Sequence, residues 1–139
     1  MPEAAMRSRG VIESAVCGAV ARFQQDYLGR GPRDIQAHLV DDKLVVHLRG
    51  VLSAAEQRLI ECHGDAGVRG ADLVRQFRSQ LVLTGRSVLE ALVASATGAT
   101  PVNVHHDIST ATGDELIVLT LAVAPICRPS RSRSGRVPR

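Results

Sequence analysis

The sequence predicts an α+β domain: a four-stranded antiparallel sheet made of two hairpins, with helices on one face and the order α-β-β-α-α-β-β. Two observations carry this. Two pairs of alternating apolar runs each flank a short polar turn, and two long segments with apolar residues at three- and four-residue steps surround the first pair. Both hairpins collect their aliphatic side chains on one side, and the amphipathic helices are the available cover. A chain of 139 residues is long enough for one such domain with a real core and too short for two.

Ile12, Ala15, Val16, Ala19, Val20, Phe23 and Tyr27 form the apolar stripe of a first helix running from Gly10 to Leu28. Gly29 suits the left-handed residue that ends a helix, and Pro32 cannot continue one. Two strands follow, Asp34 to Val40 and Lys43 to Arg49, joined at Asp41-Asp42. A two-residue turn pairs Ile35 with Leu48, Ala37 with Val46 and Leu39 with Leu44, so that six apolar residues share a face. A slip of one residue would scatter them.

Ser53 and Glu56 have the spacing of a reciprocal capping box and start a short helix. Gly64, Gly67 and Gly70 are expected to break or loosen it. Leu73, Phe77, Leu81, Val88, Leu92 and Ala96 then mark a long helix ending at Gly98, with Gly85 inside it at a cost of about 1 kcal/mol relative to Ala. The second strand pair runs from Pro101 to Ser109 and from Glu115 to Val123. A four-residue loop would pair Val102 with Val123, Val104 with Leu121, His106 with Leu119 and Ile108 with Ile117. His106 is the polar member of that apolar face and is expected to be a hydrogen-bonded core histidine.

The domain spans 10–124, between a flexible N-terminus (1–9) and a basic tail (125–139) rich in Pro, Ser, Gly and Arg, a composition that cannot offset its ordering entropy. The formal charge of +3 belongs to that tail: five of the 17 basic residues lie there, and all 14 acidic residues precede it. The body therefore lacks the basic excess of a phosphate-binding surface, and with one Tyr, two Phe and no Trp it has little to stack on bases, so no specific nucleic-acid partner is expected. Cys17, Cys62 and Cys127 match neither a disulfide framework nor a zinc spacing, which suits a reducing cytoplasm. There is no apolar run of about 20 residues to span a membrane, no GxxxxGK[ST] and no GxGxxG.

The same registers assign the other sheet face. Gln36, His38, Val45, His47 and Arg49 point there from the first hairpin, and Asn103, His105, Asp107, Val118, Thr120 and Ala122 from the second. Three histidines and a carboxylate, His38, His47, His105 and Asp107, supply a metal-ligand or His-Asp base chemistry if they converge. An uncovered strand face is also polar without any chemistry. Val40, Val45, Leu116, Val118 and Ala122 make this face about half apolar, which suits a second copy or a protein partner. Gly29-Arg30-Gly31-Pro32-Arg33 offers backbone donors and two cations to an anion, or is a helix stop.

Three segments together resemble the small bacterial MpsC-like (YbcI-like) family, named for a Na+-translocating, membrane-potential-generating system: Tyr27-Leu28-Gly29-Arg30-Gly31-Pro32; Leu48-Arg49-Gly50-Val51-Leu52-Ser53 with Ala55-Glu56; and Val104-His105-His106-Asp107-Ile108-Ser109-Thr110 with Thr112-Gly113-Asp114-Glu115. The resemblance implies a cytoplasmic protein associated by name with ion or inorganic-carbon transport, peripheral to the inner face of the membrane, without cofactor and without catalytic residues that carry over. The expectation is thus a non-enzymatic accessory domain that binds a membrane ion-transport complex or forms a homodimer, through His38, His47, Arg49, His105, Asp107 and Thr120 on the open face. Gly29, Arg30, Gly31, Pro32, His105, Asp107, Ser109 and Thr110 are the motif positions. A metal-dependent or His-Asp hydrolase is the alternative.

Overall fold

Ser8 starts the first helix: its Oγ accepts the Val11 N–H at 3.1 Å, giving one of the orphan donors of the first turn a partner. α1 (Arg9–Leu28) ends at Gly29, whose φ of 79° is left-handed and whose N–H donates to the Gln25 carbonyl. The structure, a computed structural model, describes residues 7–61 and 65–128, with the side chains of 65–68 outside the description. Expectations for residues 1–6, for Cys62 and Gly64, and for the tail from 129 lie outside the described residues.

β1 (Asp34–Val40) and β2 (Lys43–Arg49) pair in the expected register, Ile35 with Leu48, Ala37 with Val46 and Leu39 with Leu44. Asp41 takes the left-handed conformation, φ 57°, that a tight two-residue turn requires. β3 (Pro101–Ile108) and β4 (Glu115–Leu121) pair two residues away from expectation: Val104 faces Leu119, His106 faces Ile117 and Ile108 faces Glu115. The loop is six residues long, closed by Ser109 N–H to the Asp114 carbonyl (2.8 Å) and Gly113 N–H to the Ser109 carbonyl (2.9 Å), with Gly113 left-handed. A shift of two keeps every side chain on its face. It leaves Val123 beyond the strand, and an irregularity between Pro101 and Asn103 turns Val102 outward, so neither joins the core.

The capping box forms as expected: Ser53 Oγ accepts the Glu56 N–H, and Glu56 Oε1 accepts the Ser53 N–H. It begins α2 (Ala54–Glu61), followed by α3 (Asp65–Thr84) and α4 (Arg86–Thr97). Gly70 does not loosen this region. It lies inside α3 where the helix crosses α2, and a Cβ there would stand 2.1 Å from the Leu59 carbonyl oxygen. Gly85 divides the long helix into α3 and α4, and a Cβ there would meet the Phe23 ring at 2.6 Å and the Tyr27 ring at 2.8 Å. The hydrogen bonds Gly85 N–H to Leu81 and Leu89 N–H to Gly85 keep the two helices in register across the break.

The buried stripe of α3 and α4 is Val74, Arg78, Val82, Leu89, Val93 and Ala96; Ala96 is as expected, the other five lie one position on from Leu73, Phe77, Leu81, Val88 and Leu92, and Leu73, Phe77 and Val88 are exposed. The expectation followed the apolar residues; the core uses a buried arginine at the centre of this helix face. The four strands lie in the order β1-β2-β4-β3 with all neighbours antiparallel, so the hairpins join through the central pair β2–β4. Helices cover one sheet face, and Val20, Phe23, Leu44, Val46, Leu89, Ile117 and Leu119 form the centre of the core between them. Beyond β4 the chain stays with the body to Arg128, whose N–H donates to the Arg7 carbonyl at 2.8 Å.

Candidate functional site

The pairing registers arrange the uncovered face in rows across the four strands. One row is Val40, Lys43, Thr120 and Asn103, the next is His38, Val45, Val118 and His105, and a third is Gln36, His47, Leu116 and Asp107. The centre is therefore aliphatic: Val45 faces Val118 on the two inner strands, and Leu116 is 43% exposed beside them. Polar residues stand mainly at the edges.

This order separates the residues that a metal or His-Asp site would need. His38 and His105 occupy the two edge strands, three strand spacings or about 14 Å apart. His47 and Asp107 are two spacings, about 10 Å, apart. His47 instead meets Asp114, Nε2 to Oδ2 at 3.3 Å, and His105 accepts from Asn103 Nδ2 at 3.3 Å. Among the described residues no three His, Cys, Asp or Glu side chains gather in a metal-binding group. Burial, the largest influence, pushes the Cys17 thiol up, which disfavours the thiolate a nucleophile needs. Arg49 is exposed at the end of β2, opposite Asp34, and Thr120 lies between Lys43 and Asn103.

The motif segments meet at one pole of the sheet, around the backbone of Val51. Its N–H donates to the Gly113 carbonyl at 3.2 Å, and its carbonyl accepts from Arg30 Nη1 at 3.0 Å and Arg78 Nη2 at 2.5 Å. Arg30 thus clamps the β2–α2 loop, with Gly29 as the helix stop and Pro32 after it. Ser109 Oγ accepts the Thr112 N–H, so Ser109 and Thr110 shape the β3–β4 loop and do not face the outer sheet.

Behind this pole lies a buried polar network that periodicity alone did not single out. Arg78 forks onto Glu56, Nε to Oε2 at 2.8 Å and Nη2 to Oε1 at 2.7 Å. Glu115 stands 3.8 Å from Arg78 Nη1, accepts from Gln24 Nε2 at 3.3 Å, and pairs with His106 Nε2. His106 is thus the hydrogen-bonded core histidine expected. Arg78 Nη1 and His106 Nδ1 have no hydrogen-bond partner among the described residues. The available signal was polar residues at core positions: Gln24 follows Phe23 in the first stripe, Arg78 lies midway between Val74 and Val82, and Glu115 shares the parity of Ile117 and Leu119.

Burial by itself would raise the Glu56 carboxyl, but the hydrogen bond from Arg78, then that from the Ser53 backbone, outweigh it and hold the carboxyl below its ordinary range. A carboxyl with a folded value below its unfolded one contributes stability above the unfolded pKa, about 4.3, and loses it as pH falls through the folded value. Denaturation midpoints measured downward from pH 6 are expected to fall more steeply for the native chain than for Glu56→Gln, and parallel curves would contradict this.

Among the described residues no helix is long and apolar enough to cross a membrane. No solved structure matches the chain. A relative of Bacillus subtilis (strain 168), named "Uncharacterized protein YbcI", is 31% identical over 115 residues, covering 83% of this chain and 89% of that protein. The family model described as "Na+-translocating membrane potential-generating system (MpsC)" matches residues 8–123, the whole sheet and its helices, and the chain belongs to that MpsC family.

Proposed function

We propose that this domain is a non-enzymatic accessory component of a Na+-translocating, membrane-potential-generating system, acting on the cytoplasmic side and docking on its membrane complex through the uncovered sheet face. The single observation behind this reading is the aliphatic centre of that face, Val45 against Val118 with Leu116 beside them, rimmed by His38, His47, Arg49, His105, Asp107 and Thr120. An apolar centre with a polar rim is the anatomy of a protein-binding surface. The family description supplies the class of partner. The wide separation of His38, His47, His105 and Asp107 gives the hydrolase alternative no support.

The chain contains a single lysine, Lys43, and it lies on this face. An amine-reactive cross-linker applied to native membranes is expected to join Lys43 to a subunit of the ion-translocating complex. Changing Val45 and Val118 to Asp is expected to abolish both that cross-link and co-sedimentation with membranes while leaving the far-UV circular dichroism intact. Undiminished co-sedimentation of the folded double variant would overturn the reading.

A further inference from the structure

The sheet has two edges, and the chain treats them differently. An exposed edge strand carries unpaired N–H and C=O groups that recruit another strand unless they are blocked. Along β1 the blocking comes from α1: Glu13 Oε2 accepts the outward Leu39 N–H at 2.8 Å, and Cys17 Sγ reaches the Ile35 carbonyl at 3.9 Å.

No helix side chain closes β3 in that way among the described residues. Leu121 N–H donates to the Asp42 carbonyl and Ala122 N–H to the Thr100 carbonyl, so odd residues of β4 bond towards β2 and even ones towards β3. With Asn103, His105 and Asp107 opposite Thr120, Val118 and Leu116, those three of β3 are used in the ladder. The backbone groups of Val104, His106 and Ile108 are directed to the free edge. The Val104 N–H is held there by its neighbour Asn103 Oδ1 at 3.0 Å, an exposed contact that a strand can replace. Exposed apolar side chains flank this edge, Val102 on the strand and Leu83 on α3.

We propose that two copies of this chain join antiparallel along β3, with His105 of each opposite Asp107 of the other, making one eight-stranded sheet. Edge-directed residues must pair with edge-directed residues, so an antiparallel pair related by a two-fold axis can slip only in steps that exchange whole pairs. One register sets Val104 opposite Ile108 and His105 opposite Asp107, twice, with His106, which Glu115 engages on the helix-covered side, opposite itself. The neighbouring registers oppose His105 to itself or Asp107 to itself. Opposite charges or a donor and an acceptor directly across a pair stabilise it, and like charges destabilise it. Across such a pair the His105 ring can offer an N–H to the carboxylate of the second copy. The second copy is the occupant because the strand is complementary to itself. This proposal concerns the backbone edge of β3; His105 and Asp107 also belong to the rim of the open face, whose aliphatic centre at Val45 and Val118 lies on the inner strands.

Sedimentation equilibrium of the full chain tests it. The native chain is expected at dimer mass at high concentration. Val104→Pro, which removes an N–H outside the ladder, and His105→Asp, which sets Asp against Asp, are expected at monomer mass throughout. The exchange His105→Asp with Asp107→His is expected to restore the dimer. A native monomer at every concentration, a dimer that survives the single changes, or an exchange that fails to restore it would each overturn the proposal. If circular dichroism shows Val104→Pro unfolded, the charge exchange decides alone. Val45→Asp with Val118→Asp is expected to keep dimer mass while losing membrane binding, so loss of one does not imply loss of the other.

Discussion

Arg78→Met is expected to lower the stability of the domain by about 3–5 kcal/mol, the cost of leaving buried charge uncompensated. The arginine is 2% exposed and is the cation facing both Glu56, through a two-pronged hydrogen bond, and Glu115 at 3.8 Å. Methionine fills similar space, so packing loss is small and the electrostatic term dominates. It also leaves the Val51 carbonyl with Arg30 as its remaining guanidinium partner. Against a total of about 5–15 kcal/mol for a domain, such a loss moves a denaturant midpoint far or prevents folding. Adding Glu56→Leu is expected to recover part of it, because an apolar replacement of both partners costs less than breaking one. A stability for Arg78→Met within about 1 kcal/mol of the native value, the size of an ordinary hydrogen bond, would show that the network carries little.

Gly70→Ala is expected to cost about 1–3 kcal/mol or more, although alanine is the better helix former by about 1 kcal/mol. The clash is with backbone: the added Cβ would stand 2.1 Å from the Leu59 carbonyl oxygen and 2.7 Å from its carbon. A side chain can rotate away, but here α2 itself must move, and its first turn holds Glu56 against Arg78. A thermal melt of Gly70→Ala above the native one would mean that α2 and α3 do not meet closely at this point.

The first hairpin was legible in full because its turn allows two residues and its face contains six aliphatic residues, leaving one register that satisfies both. The second was legible in face but not in register. Its loop sequence accommodates four or six residues, and the Ser109 and Gly113 bonds that choose six form only when the loop closes. The helix stripe missed by one position for a related reason. Leu73 and Phe77 satisfy an apolar pattern, but the position turned to the core is Arg78, whose burial depends on Glu56 and Glu115 from distant segments.

Periodicity, turn chemistry and capping are properties of neighbours along the chain, and from them the sequence by itself determined the fold class, the first register, the two sheet faces and the helix ends at Gly29 and Gly98. Which strands lie beside one another is a contest between long-range pairings that local pattern does not register. The tertiary structure alone decided the order β1-β2-β4-β3, which placed His38 and His105 on opposite edges, gathered the motif loops around Val51, and made Gly70 and Gly85 points of close approach.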